Sequence, residues 1–121
     1  MNDTNPMSIL TWAAYDAFPE QRMVGLCHNV QNIARELAAY LGVARDRLSY
    51  DCAGINHMTW ILRLELDGQD AYPTLRHAAE DPTIFARDRV GLELLRQLGW
   101  FVRESRAHTA EYTPYFLHRG D

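Results

Sequence analysis

Apolar residues recur along this chain at two different spacings, and the alternation between them divides it into helices and strands. From Met7 to Phe18, Ile9, Leu10, Ala13, Ala14 and Ala17 return at helical intervals. Pro19 closes that segment, because proline disfavours helix in the residue before it. Met23 to Cys27 is a short apolar run without a helical period, which predicts a buried strand. Next, Val30, Ile33, Ala34, Leu37, Ala38 and Leu41 follow the rule of one helical face over three turns, with Asn29 placed to cap the start and Gly42 to end it.

Leu48 to Ile55 and Thr59 to Leu66 read as strands. In the second, Ile61, Arg63 and Glu65 alternate with Leu62, Leu64 and Leu66, the period of a half-exposed sheet. Asp67-Gly68 supplies a turn. A long helix is predicted to start at Asp81-Pro82 and to run to Leu98, before Gly99. Gly91 inside it costs about 1 kcal/mol relative to alanine, so something other than helix propensity holds it there. Trp100 to Phe116 is aromatic and lacks a clean period. The sum is a mixed fold, α/β (α+β), with parallel and antiparallel pairing left open.

Composition narrows the class. The 121 residues suit one domain with no internal boundary, and 47% apolar against 23% charged residues is enough for a core. The net charge of -4 offers no footprint for a phosphate backbone, which argues against nucleic acid. All twelve basic residues are arginine, without a cluster that would give them a shared task. Two cysteines are too few for a disulfide framework, and the first ten residues lack the basic flank and apolar run of a signal peptide. The expected setting is therefore reducing and cytoplasmic, and no window is apolar enough to span a membrane.

Two constellations carry candidate chemistry. Cys27-His28 stands at the end of a predicted strand and just before a helix, where the helix dipole favours the thiolate that binds metal or attacks carbon. Gly54-Ile55-Asn56-His57 places an amide and an imidazole at another strand end, where α/β sheets hold ligands. On residue chemistry alone three readings stay open. Cys27, His28, Cys52 and His57 could ligate zinc, although no C-x-x-C knuckle is present. Cys27 with His28 or His57 could form a nucleophile and its base. The plainest reading makes Cys27 a small buried hydrophobe and His57 a satisfied core histidine. Likewise, Asn5-Pro6 reads as a turn before it reads as a substrate contact, and Glu104, Ser105, His108, Glu111 and Tyr112 as solvated surface before they read as acid, base and phenol.

Taken together, Asn5-Pro6-Met7, Val24-Gly25-Leu26-Cys27-His28-Asn29-Val30-Gln31, Cys52-Ala53-Gly54-Ile55-Asn56-His57-Met58, Leu98 to Ser105, and His108 with Ala110 to Phe116 resemble glycoside hydrolase family 4, most of all its α-galactosidase branch. The resemblance runs over nearly the whole chain but only the middle of the family's longer one. It implies a fragment of the lactate/malate dehydrogenase-like C-terminal domain of family 4 glycosidases, a single partial domain over residues 1–121, without the N-terminal Rossmann domain. It further implies an NAD- and manganese-dependent cleavage of O-glycosidic bonds. In that scheme hydride passes from the sugar's C3 to NAD, a base removes the acidified C2 proton, the C1 leaving group is eliminated, water adds, and the hydride returns. The cation polarises the oxygens on C2 and C3.

By the same resemblance Cys27 and His57 match the metal ligands, His28 and Asn56 match substrate contacts, and Asn5 stands near both sugar and nicotinamide. Glu104, with His108 as second choice, matches the proton-abstracting base. The chain departs from the family at Gly91, where relatives tend to carry arginine, and at Arg106-Ala107, where they tend to carry a serine and an acid. None of its seven glycines forms a G-x-G-x-x-G loop for NAD. The expectation is a glycosidase by lineage, inert as this chain alone, that takes a small-molecule glycoside and neither nucleic acid nor membrane, and that forms a homo-oligomer in the complete enzyme. A non-catalytic metal-binding or oligomerisation module is the alternative.

Overall fold

An antiparallel hairpin organises the chain. In the computed structural model, which describes residues 1–4, 6–26, 29–55, 58–103, 113 and 116, β1 (Leu48–Ile55) pairs with β2 (Met58–Leu66) from Leu48 opposite Leu66 to Ile55 opposite Met58. The hairpin settles the pairing left open by the pattern. Asp67 and Gly68, at φ of 51° and 80°, form the two-residue turn into the short β3 (Gln69–Asp70), as a primed hairpin turn requires. A second two-residue strand, β4 (Phe101–Val102), joins the same edge of β2 further along, with Phe101 opposite Ile61 and Val102 opposite Trp60.

The predicted alternation along β2 fails at one residue. Asp51 faces Arg63 and Cys52 faces Ile61, so Leu62 is the extra residue of a β-bulge. The phase of the strand reverses there: Ile61 and Leu64, three apart, are both buried, whereas Leu62 is turned out to solvent.

Helices cover one face of this sheet. The helix α1 (Met7–Ala17) begins and ends where its spacing predicts, but none of its residues is buried, and Ile9, Trp12, Tyr15 and Phe18 stand exposed. By contrast, α2 (Asn29–Leu41) buries Ile33, Ala34, Leu37 and Ala38 on the predicted face. Asn29 is already helical rather than the residue before the helix, which corrects its expected capping role. Gly42 ends it at φ 67°, and the Val43 N–H donates back to the Ala38 carbonyl at 3.0 Å.

The long helix predicted from Asp81 to Leu98 is two helices, α4 (Pro82–Phe85) and α5 (Arg89–Leu98), with α3 (Tyr72–Ala78) preceding them. The interruption is chemical. Asp81 caps α4 by accepting the Thr83 N–H at 2.7 Å, and Asp88, outside helical geometry at φ -152° and ψ 69°, caps α5 by accepting the Gly91 N–H at 3.0 Å. The core gathers Ile33 and Leu37 from α2, Ile61 and Leu64 from β2, Leu75 from α3, Leu92 and Leu95 from α5, and Phe101 from β4. Where the pattern predicts a strand from Met23 to Cys27, the described residues form a single parallel bridge between Gly25 and Asn2. No described helix is long and apolar enough to cross a membrane.

Candidate metal and substrate centre

Asn5, Cys27, His28, Asn56, His57, Glu104 and His108 all lie outside the described residues, as do Arg106 and Ala107. The segments that lead into residues 5, 27, 56 and 104 are described, and the fold joins them in two pairs. The first pair links the chain start to the approach to Cys27. The Asn2 N–H donates to the Val24 carbonyl at 2.9 Å, and the Leu26 N–H donates to the Asn2 carbonyl at 2.8 Å. The Asn2 side-chain amide reaches on to the Met7 carbonyl at 3.3 Å and the Thr11 hydroxyl at 3.2 Å, which ties both strands of chain to the start of α1. A Cβ at Gly25 would overlap the Met7 sulfur, so glycine permits this close approach two residues before Cys27.

The second pair brings the hairpin end to the C-terminal segment. Residues 56 and 57 connect β1 to β2, and Gly54, opposite Thr59, lies so close to the Met58 carbonyl that any Cβ would overlap it. From the β4 side, the ladder ends where the Arg103 N–H donates to the Thr59 carbonyl at 2.9 Å. Thus the residue before Glu104 is bonded to a residue two places from His57. Nothing in sequence spacing placed Thr59 and Arg103 side by side.

A buried ionic cluster lies directly behind this rung. Arg103 is 4% exposed and donates from Nη1 to the Tyr40 hydroxyl at 2.9 Å and to Asp88 Oδ2 at 2.9 Å, and the same nitrogen forms an ion pair with Glu36 Oε2. Asp88 is 1% exposed and spends its other oxygen on the α5 cap. Burial, reinforced by the Asp88 carboxylate, pushes the Tyr40 phenol up to about 12. The same region holds a second buried hydroxyl: Tyr72 donates to the Ile61 carbonyl and accepts the Phe101 N–H at 3.2 Å, which fastens β4 to β2. Its pKa is also raised, first by burial.

Sequence reasoning passed over Arg103, Asp88 and Tyr40. One signal was available. Gly91 was flagged as costly inside a helix, and a Cβ there would meet Asp88 Oδ2 at 2.5 Å, so the glycine makes room for the carboxylate three residues earlier. The arginine that the resemblance expects at 91 does not fit beside an Asp88 held in this way.

Among the described residues no group of three or more His, Cys, Asp or Glu is gathered as a metal site. Cys52 is a free, exposed thiol in the middle of β1. Three residues separate it from Ile55, about 10 Å of strand. Distance from the hairpin connection therefore counts against a four-ligand zinc site that includes Cys52.

The chain belongs to the family 4 glycosyl hydrolases: residues 52–119 match the family's C-terminal domain, and residues 1–43 match the family 4 glycosyl hydrolase model. It is 42% identical over 98% of its length to an α-galactosidase of Bacillus subtilis strain 168, and 35% identical over its whole length to an α-galactosidase of Rhizobium meliloti strain 1021. It spans 28% and 25% of those two proteins. A solved 6-phospho-α-glucosidase from gut microorganisms, in complex with NAD and Mn2+, superposes with a TM-score of 0.76 at 20% identity, over 98% of this chain and 30% of that one. The shared fold is thus present across nearly all of this chain.

Proposed function

We propose that this chain is the metal- and sugar-holding part of an α-galactosidase-type family 4 enzyme. The carrying observation is the 42% identity to an α-galactosidase across 98% of the chain. The join of Thr59 to Arg103 supports it, since it gives the segments that carry His57 and Glu104 a common end of the sheet.

In this reading residues 1–121 form one partial domain, which acts in a reducing cytoplasm and within a homo-oligomer of the complete enzyme. Cys27 and His57 hold a divalent cation, as thiolate and neutral imidazole. That donor pair fits a transition metal, and the remaining positions go to water and to the sugar's hydroxyls, the oxygen donors that manganese prefers. When bound, the cation supplies Lewis-acid polarisation of the sugar's oxygens. His28, Asn56 and Asn5 orient the sugar, and Glu104, or His108 in its place, takes a proton from its C2. Pyrophosphate finds no G-x-G-x-x-G cradle among these 121 residues, so no step is assigned to NAD on this chain.

Two measurements test the proposal. The purified chain, given an aryl α-galactoside, NAD, manganese and reductant, is expected to be inert; sustained turnover overturns that expectation. Calorimetric titration with manganese is expected to show binding that Cys27→Ser and His57→Ala abolish and Cys52→Ser leaves intact. Zinc binding lost equally in all three variants would replace this reading with a structural metal module. One observation favours a part in assembly as well: the exposed apolar residues of α1.

A further inference from the structure

We propose that Arg103 is a positioning residue that fixes α2 against the β1–β2 hairpin and so sets how Cys27 and His57 stand relative to each other. This rests on the metal assignment above. Its main chain is bonded to Thr59, two places from His57. Its guanidinium grips Glu36 and Tyr40, neighbours on one face of α2, the helix that starts two residues after Cys27. Asp88 accepts from the same Nη1, and the α5 cap holds Asp88.

The apolar face of α2 provides attraction without direction; it tolerates a helix that slides or turns by an ångström. A hydrogen bond to Tyr40 and an ion pair to Glu36, made by one buried guanidinium to two successive turns of α2, do not. Buried ionic groups contribute little net stability, and the use that fits this one is geometric specificity. Arg103 Nε has no hydrogen-bond partner among the described residues, so the side chain is positioned by the cluster rather than optimised for bonding.

The test uses the full chain loaded with cobalt(II), whose thiolate charge-transfer band reports the Cys27 sulfur directly. Urea unfolding runs in parallel to establish that each variant is folded. Arg103→Met is expected to weaken metal binding about 10- to 100-fold, the range for residues that orient ligands, and to diminish the band at saturating metal. Arg103→Lys is expected to recover part of both. Should Arg103→Met fail to fold, Glu36→Ala with Tyr40→Phe removes both side-chain links to α2 and leaves Asp88 in place, and is expected to diminish the band likewise. A folded Arg103→Lys variant and a folded Glu36→Ala, Tyr40→Phe double variant with wild-type affinity and an unchanged band overturn the inference. A wild-type chain that binds no metal overturns the assignment of Cys27 and His57 instead.

Discussion

Replacing Gly91 with alanine sets two effects of opposite sign against each other. In an ordinary helix interior the change stabilises by about 1 kcal/mol. Here the new methyl group would lie 2.5 Å from Asp88 Oδ2, 3.0 Å from Cγ and 3.1 Å from Oδ1, and the carboxylate cannot step aside freely because Arg103 and the Gly91 N–H hold it. Losing the cap alone costs about 1 kcal/mol and cancels the helical gain. Breaking the buried pair outright costs about 3–5 kcal/mol. A partial displacement lies between these limits, so Gly91→Ala is expected to destabilise by about 2 kcal/mol, or roughly 8 °C for a domain of this size. Urea unfolding followed by circular dichroism measures it, with the slope unchanged. The decisive comparison is with Asp88→Ala: in that background Gly91→Ala is expected to stabilise by about 1 kcal/mol, a reversal of sign. A stabilising Gly91→Ala in the wild-type chain, or the same effect in both backgrounds, refutes the reasoning.

Tyr72→Phe removes the hydroxyl shared by Ile61 and Phe101 and leaves both groups buried, at an expected cost of about 1–3 kcal/mol, measured by the same unfolding curves; hydrogen exchange of the Phe101 amide is expected to quicken. Alkaline titration tests the buried phenols. The folded pKa of Tyr40, about 12, lies above its ordinary value of 10.0, so its contribution is complete below pH 10 and is lost as pH climbs towards 12. Tyr40 and Tyr72 are therefore expected to ionise, by ultraviolet absorbance, only as the chain unfolds.

Much of the fold was legible because local signals agreed with burial. The α2 face, its Gly42 stop and the two long strands were set by periodicity that the core then used. Where expectation failed, a single side chain or backbone defect had intervened. Asp88 resembles any exposed acid in a helical run until its cap and its arginine are seen together, and Leu62 reads as one more apolar alternate until the register shows it expelled. The apolar spacing of α1 marked a helix but not its burial. The site divides in the same way. Motif residues stood out by chemical type, whereas the link between the hairpin end and Arg103 depends on a contact across more than forty residues of sequence, which no local pattern encodes.

The bulge at Leu62 makes that position an insertion whose side chain the core does not use. Serine or threonine there would meet only water. Deleting the residue would leave Ile61 beside Arg63, still opposite Cys52 and Asp51, and two places from Leu64, so both buried side chains would keep their side of an unbroken pleat. Evolution is free to rewrite this leucine, and the core face of the strand would outlast even its loss.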